Sequence, residues 1–162
     1  RPGTDLSGLA DAEATAIAVD VGSRLWRRAG APFRRVADEL PRWLDEGEGD
    51  LRARAEQLLA DMELRHDVLV HGDFHHHNIL RAGERHLAID AKAMLGEPEY
   101  DVPSFLRNPL THTMELDRTE RRLAAFAAAG LDEGRMRAWA LIRGACLGAG
   151  ADEARVLRAL IL

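Results

Sequence analysis

The sequence has a single cysteine, few aromatic residues, no long apolar run and no basic block. Cys146 has no partner for an intramolecular disulfide, which is typical of proteins in a reducing compartment. The longest apolar run, residues 123–131, is far shorter than the roughly 20 residues of a transmembrane helix. Lys and Arg number 22 against 27 Asp and Glu, and the basic residues do not cluster. We therefore expect neither a membrane span nor a nucleic-acid partner.

The overall composition is typical of a soluble globular protein, with 46% apolar and 30% charged residues. A chain of 162 residues fits one domain, residues 1–162, and buries a core without disulfides or a structural metal. The first residues, Arg1-Pro2-Gly3-Thr4, lack the apolar segment of a signal peptide, so we expect a cytoplasmic protein. Because the sequence does not begin with Met, we also expect it to be part of a longer chain.

Apolar residues at three- and four-residue steps predict a mostly helical chain. The first helix is expected to begin at an N-cap, Ser7 or Asp11, and to end near Gly30. Pro41 predicts two short helical pieces within residues 32–43. The other predicted helices are residues 51–62 with Asp50 as N-cap, 102–107 after Asp101, one from a capping box at Asp117 and Glu120 to Gly130, one around 136–143, and a last one after Asp152.

The period changes at Val68, where residues 68–70 predict a short buried strand. A polar loop, residues 71–78, follows it. Residues 79–80 and 87–89 then predict a hairpin with its turn at Gly83, and residues 91–100 a loop. The predicted fold class is α+β and mostly helical, with one small β-hairpin.

The polar loop and the residue after the hairpin carry a pattern that suits phosphoryl transfer. Four residues separate Asp73 from Asn78, as in the catalytic loop of protein kinases, and Asp90 follows the hairpin. That reaction needs one carboxylate to orient the attacking hydroxyl and accept its proton. It also needs an amide and a second carboxylate to hold magnesium on the phosphates.

The segment from His71 to Asp90 resembles the aminoglycoside phosphotransferases, whose loop reads His-Gly-Asp. Residues 89–92, 96–98, 100–102 and 106–109 are similar to the branch of streptomycin 6-kinases, also called aminoglycoside and hydroxyurea resistance kinases. Residues 1–8 resemble the hinge after the small nucleotide-binding lobe. The resemblance implies the C-terminal lobe of a protein-kinase-like fold, in which the hairpin carries the catalytic and metal-binding loops. The N-terminal lobe is expected to be absent.

The resemblance also implies a role for each matching residue. Asp73 is the expected catalytic base and binds the acceptor substrate, while Asn78 and Asp90 hold Mg²⁺ and the ATP phosphates. His71 is expected to position the loop, and Asp101 to anchor backbone near the site as an N-cap. The implied activity is transfer of the γ-phosphoryl group of ATP to a hydroxyl of an aminoglycoside, with streptomycin the leading substrate and antibiotic resistance the result.

Several residues admit other interpretations. Glu97, in a matching block, is the acidic residue that we single out for binding a cationic sugar, and Lys92 is a candidate phosphate contact. His75, His76 and His77 suggest a zinc site, but no HExxH or CxxC motif accompanies them. The three tryptophans and Cys146 are expected in the core.

Rival functions also stay open. A metal-dependent phosphoesterase would need a further ligand motif that the sequence lacks. A non-catalytic kinase-like module, or a kinase for another small hydroxylated metabolite, would share the same fold. Because no glycine-rich loop or strand lysine precedes the matching region, we expect weak activity and self-association through the face left by the missing lobe.

Overall fold

The computed structural model describes residues 3–46 and 51–161. The predicted N-cap at Asp50, and Arg1 and Pro2 of the expected hinge, lie outside these residues. The helices are α1 (Asp11–Leu25), α2 (Val36–Glu46), α3 (Leu51–Asp61), α4 (Val102–Leu106), α5 (Leu116–Ala128), α6 (Glu133–Cys146) and α7 (Ala151–Ala159). The strands are β1 (Arg27–Arg28), β2 (Val68–Val70), β3 (Ile79–Ala82), β4 (Arg85–Ala88) and β5 (Met94–Gly96). The chain is mostly helical with small sheets, as predicted.

Two small antiparallel sheets hold the loops that matter for function. One has the strand order β1-β2-β5, with Leu69 opposite both Arg27 and Leu95. The other is the predicted hairpin of β3 and β4, in which Ile79 lies opposite Ala88. The chain leaves the central strand β2 directly into the polar loop, so the start of that loop is fixed by strand pairing on both sides.

Helix α6 forms the centre of the core, in contact with α2, α3, α4, α5 and α7. Its residues Met136, Trp139, Leu141 and Ile142 are almost completely buried. The apolar residues of α6 cover most of its circumference because neighbouring helices enclose it on several sides. This packing places the C-terminal half of α6 beside the polar loop.

The first two helices differ from the sequence prediction. Helix α1 ends at Leu25, not near Gly30, because Arg27 and Arg28 pair with β2. Residues 36–46 form one helix that contains Pro41, not two pieces. Proline removes a single backbone donor there, and the buried side chains of Leu40 and Leu44 hold the helix against the core.

The predicted N-caps are also wrong in most cases. The observed caps are Ala10, Glu115 and Gly150, one or two residues before the predicted Asp11, Asp117 and Asp152. These three aspartates lie in the first helical turn, where a carboxylate still interacts favourably with the helix dipole. Glu120 forms an ion pair with Arg137 instead of closing a capping box. The prediction that a helix ends at Gly130 is confirmed, with φ of 102° at that glycine.

Residues 91–100 contain regular secondary structure where the sequence predicts only a loop. They contain strand β5 and a 3-10 turn at Pro98–Tyr100. Residues 94–96 include a glycine and no β-branched residue, unlike residues 68–70, so pairing with β2 and not the sequence reveals this strand. Within the described residues, every helix is too short or too polar to span a bilayer.

Candidate active site

The loop after β2 is anchored by His71, which is fully buried. Its Nδ1 accepts a hydrogen bond from the backbone N–H of Asp73 at 3.2 Å. Its Nε2 therefore carries the ring proton and donates it to the carbonyl oxygen of Ile89 at 2.8 Å. The imidazole thus ties the residue that precedes Asp90 to the backbone of Asp73, a geometry that suits a positioning residue.

Asp101 holds the same loop from beneath. Its buried carboxylate accepts hydrogen bonds from the backbone N–H groups of His71 at 2.7 Å and Gly72 at 2.8 Å, and from Trp26 Nε1 at 2.9 Å. Burial raises the pKa of Asp101, and these three donors oppose that effect. Asp101 occupies the N-cap position of α4 and anchors backbone near the site, as expected, but its side chain makes no capping hydrogen bond to that helix. Its carboxylate anchors the catalytic loop directly, because the 3-10 turn Pro98–Tyr100 that precedes it packs against β2.

Gly72 allows the sharp turn between these two anchored residues. Its φ of 82° lies in the left-handed region, and a Cβ there would approach Lys92 Cβ to 3.1 Å. A glycine is thus required at the middle position of the His-Gly-Asp segment.

The Asp73 carboxylate is partly exposed and lies between two basic side chains. Lys92 Nζ is 3.2 Å from Asp73 Oδ2, and His75 Nε2 is 3.6 Å from Asp73 Oδ1. Burial lowers the pKa of His75. The backbone N–H of Lys92 also donates to the His71 carbonyl at 2.8 Å, so Lys92 is fixed to the same loop. The carboxylate of Asp73 is therefore oriented but accessible.

Asn78 and Asp90 are brought to the same end of the hairpin. The Asn78 side-chain Nδ2 donates to the backbone carbonyl of Asp73 at 2.9 Å, which leaves its Oδ1 without a partner among the described residues. The Asn78 carbonyl accepts the N–H of Ile89 at 2.9 Å, which places Asp90 one residue away. Asp90 has φ of 57°, and its exposed carboxylate forms no hydrogen bond or ion pair within the described chain. An amide oxygen and a carboxylate fit Mg²⁺, which prefers hard oxygen ligands.

The three consecutive histidines point in different directions. The His75 side chain lies near Asp73, whereas the exposed His77 contacts Asp5 Oδ2 through Nδ1 at 2.7 Å. His76 is buried and stacks on Phe105 with ring centroids 4.1 Å apart. Among residues 3–46 and 51–161, no group of three or more His, Cys, Asp or Glu side chains is arranged to hold a metal ion.

Glu97 lies away from the other candidate residues. Its carboxylate is 1% exposed and binds Arg135 at 3.0 and 2.5 Å, and it also accepts a hydrogen bond from Trp139 Nε1. With its oxygens satisfied by α6, Glu97 has a structural role in the described chain. This placement argues against the predicted contact with a cationic substrate.

A cavity of about 730 Å³ opens on one side of Asp73. Helices α2, α4 and α6 supply part of its wall, and Asp73, His75 and Lys92 line it together with residues of the loops. This volume is sufficient for a small-molecule ligand. Asn78 and Asp90 do not line it, but Asn78 is joined to the backbone of Asp73, which does.

Comparison with known proteins identifies the family of this chain. The sequence model of the aminoglycoside/hydroxyurea antibiotic resistance kinases matches residues 4–154. The chain belongs to this family. A comparison with curated protein sequences gave no match.

Solved structures share the fold of this family member. One is aminoglycoside phosphotransferase APH(4)-Ia in a ternary complex with AMP-PNP and hygromycin B, with 21% identity and a TM-score of 0.56. That match covers 99% of this chain and 69% of the other. A choline/ethanolamine kinase family protein from Mesorhizobium loti has 16% identity and a TM-score of 0.55, with 91% and 60% covered. Choline kinase LicA from Streptococcus pneumoniae has 14% identity and a TM-score of 0.53, with 98% and 66% covered. The kinase-like fold is confirmed, and the chain spans less than two thirds of either choline kinase.

Several cavity residues of this family member escaped the sequence prediction. Trp43 and Cys146 line the cavity instead of lying wholly in the core, and burial raises the pKa of the Cys146 thiol. Arg143 also lines it, on α6. A signal for Arg143 was present, because a lone charge in the apolar run 138–146 has to find a special environment. Trp43 gave no such signal.

Proposed function

We propose that this chain transfers the γ-phosphoryl group of ATP to a hydroxyl group of a small molecule, with Asp73 as the catalytic residue. The observation that carries this proposal is the position of the Asp73 carboxylate, oriented by the His71 and Asp101 network at the edge of a ligand-sized cavity. From there Asp73 orients the acceptor hydroxyl and accepts its proton as the oxygen attacks phosphorus.

Outside the cavity, we propose that Asn78 and Asp90 hold Mg²⁺ and thereby the ATP phosphates. When bound, the ion neutralises charge that develops on the transferred phosphoryl group. Asn78 presents Oδ1 because its Nδ2 is held by the carbonyl of Asp73. The same hydrogen bond keeps the metal ligand and the catalytic loop in a fixed relation.

Lys92 is a further polar residue beside the Asp73 carboxylate. In the absence of substrate its ammonium pairs with Asp73 at 3.2 Å, and its side chain is 63% exposed. An incoming phosphoryl group offers this flexible cation a second partner. We propose that Lys92 moves from Asp73 to the transferred phosphoryl group, which frees the carboxylate to act as base.

For the acceptor, family membership supports an aminoglycoside, with streptomycin as the leading substrate and resistance as the consequence. A kinase for another small hydroxylated metabolite is the second candidate. One observation favours it: the charged side chains that line the cavity are Arg34, Arg42, Lys92, Arg107 and Arg143 against Glu39 and Asp73. This excess of positive charge suits a cationic acceptor poorly.

Further expectations from the sequence stay proposals. We propose that residues 3–8 belong to the hinge toward a nucleotide-binding lobe. The Thr4 carbonyl accepts the Arg81 N–H at 2.9 Å, which attaches this segment to the hairpin. Self-association is expected through the neighbouring face, where Leu87 is 48% and Ile89 41% exposed. A cytoplasmic location also remains a prediction.

Mass spectrometry of acceptors incubated with ATP, Mg²⁺ and the chain tests the proposed function. Streptomycin, choline and neutral polyols form the panel, with Asp73→Asn as the matched variant. A phosphorylated acceptor that requires Asp73 supports phosphoryl transfer. Product formed equally by Asp73→Asn would contradict the role of Asp73, and a chain that binds ATP but phosphorylates nothing would favour a non-catalytic module.

A further inference from the structure

Within the described residues, four of the five Lys and Arg side chains that line the cavity have a carboxylate partner and one does not. Arg107 contacts Glu153 at 3.0 Å, outside the cavity lining. The Glu39 carboxylate contacts Arg34 at 2.6 Å and Arg42 at 3.2 Å, and the Asp73 carboxylate contacts Lys92. Both carboxylates of the cavity wall are therefore already neutralised. A polycationic ligand would find no unpaired carboxylate on this wall.

Arg143 is the cation without a carboxylate. Its residue is 9% exposed, and no Asp or Glu oxygen of the described chain lies within 4.0 Å of its guanidinium. It donates to Tyr100 Oη at 2.6 Å, to Ser104 Oγ at 3.0 Å and to the Gly72 carbonyl at 3.5 Å. Its Nε is buried without a hydrogen-bond partner. Burying a guanidinium without a counter-ion is costly, so this environment favours an anion.

Arg122 provides the comparison within the same protein. It is also buried, but it pairs with Asp11 at 2.7 Å and donates to the carbonyls of Phe105, Leu106 and Asn108. Its charge and hydrogen bonds are satisfied by the fold alone. Arg143 lines a cavity and is not satisfied in this way. Arg122 is therefore a structural cation, whereas Arg143 is available to a ligand.

Two hydroxyl groups lie beside Arg143 on the same cavity wall. Ser104 Oγ and Tyr100 Oη each accept a hydrogen bond from the guanidinium, so each has its own O–H to donate. A tyrosine hydroxyl is protonated at neutral pH, and burial raises the pKa of Tyr100 further, to about 12. A guanidinium and two O–H donors together form a set that matches the oxygens of a carboxylate or a phosphate.

We propose that Arg143, Ser104 and Tyr100 form an anion-binding subsite for a carboxylate or phosphate group of the acceptor whose hydroxyl is phosphorylated at Asp73. The inference rests on the proposed function only in naming the ligand as the acceptor. Gly72 connects the proposed subsite with the catalytic residue, because Arg143 contacts the Gly72 carbonyl and Asp73 is the next residue. The acceptor that this subsite fits is a hydroxylated acid or a sugar phosphate, so the inference deepens the second candidate of the proposed function, a kinase for another small hydroxylated metabolite, and competes with streptomycin.

Equilibrium binding to the chain without nucleotide tests this proposal, so a failure of phosphoryl transfer does not affect the result. Calorimetry compares gluconate with sorbitol, and glucose 6-phosphate with glucose, at low salt. A ligand-induced change in tryptophan fluorescence that is lost in Trp43→Phe places the ligand in the cavity that Trp43 lines. We expect the anion of at least one pair to bind about tenfold more tightly than its neutral counterpart, and the pair that responds identifies the anion as carboxylate or phosphate.

The Arg143→Met variant is expected to abolish this preference, and Arg143→Lys to retain part of it. Arg52→Met, on the exposed face of α3, is the matched control and is expected to keep the wild-type preference. Equal binding of both members of each pair by the wild-type chain would overturn the proposal. A preference that persists in a folded Arg143→Met variant would do the same, as would tighter binding of streptomycin than of either anion. If Arg143→Met does not fold, the wild-type ratios and Arg143→Lys decide.

Discussion

Acidification is expected to destabilise the fold through His76. This ring stacks on Phe105 with centroids 4.1 Å apart, and its Nε2 accepts a hydrogen bond from Arg122 at 3.4 Å. Burial, followed by the neighbouring Arg122 charge, lowers the pKa of His76 from 6.5 to about 3. The folded state therefore keeps this imidazole neutral at pH values where the unfolded chain protonates it.

The sign and the magnitude follow from that difference. Above pH 6.5 both states hold a neutral ring, so the contribution of His76 to stability is complete. Below pH 6.5 the unfolded chain binds a proton that the folded chain does not bind, and stability falls by about 1.4 kcal/mol for each pH unit. At pH 5 the free energy of unfolding is therefore lower by about 2 kcal/mol from this group alone.

Urea unfolding followed by circular dichroism at pH 7 and pH 5 measures this loss. The wild-type chain is expected to lose about 2 kcal/mol more between these pH values than His76→Gln, whose side chain does not titrate. His66→Gln, with an exposed side chain, is the control and is expected to behave as wild type. An identical loss in wild type and His76→Gln would refute the account of His76 as a buried neutral ring.

Three further substitutions test the catalytic loop. Asp101→Asn replaces a carboxylate oxygen by an amide donor opposite backbone N–H groups, so the free energy of unfolding is expected to fall by about 2 kcal/mol in urea titrations. Unchanged stability would contradict the anchoring role. Gly72→Ala forces a left-handed alanine against Lys92, and a loss of about 1–2 kcal/mol is expected by the same method. Lys92→Met is expected to lower kcat while the KM for the acceptor changes little. A change in KM alone would contradict the proposed contact between Lys92 and the transferred phosphoryl group.

The hairpin and the catalytic loop could be predicted from the sequence because their signals are local. Residues 68–70 are β-branched or aliphatic, Gly83 marks the turn, and the spacing of Asp73 and Asn78 is read directly along the chain. Asn78 precedes the hairpin and Asp90 follows it, so their closeness could also be predicted from this short segment. Contacts between residues close in sequence need no knowledge of tertiary packing.

Features that depend on distant segments could not be predicted in this way. The three donors to Asp101 come from residues 26, 71 and 72, and only tertiary packing of the turn before α4 against β2 brings them together. The sequence singles out Glu97 for substrate binding because it lies in a block that matches the family, and its partner Arg135 could not be foreseen because it lies on α6, distant in sequence. The pairing that defines β5, and the cavity lined by α2, α4 and α6, likewise depend on tertiary contacts.

The most direct test of the central claim is transfer of phosphate from γ-³²P-labelled ATP to an acceptor by the chain in the presence of Mg²⁺. Wild type, Asp73→Asn and the exposed-site control Arg52→Met are compared with streptomycin, gluconate and glucose 6-phosphate as acceptors. The account predicts labelled acceptor with wild type and Arg52→Met, and a loss of at least about 10²-fold in rate with Asp73→Asn. Labelling by Asp73→Asn at the wild-type rate would contradict it.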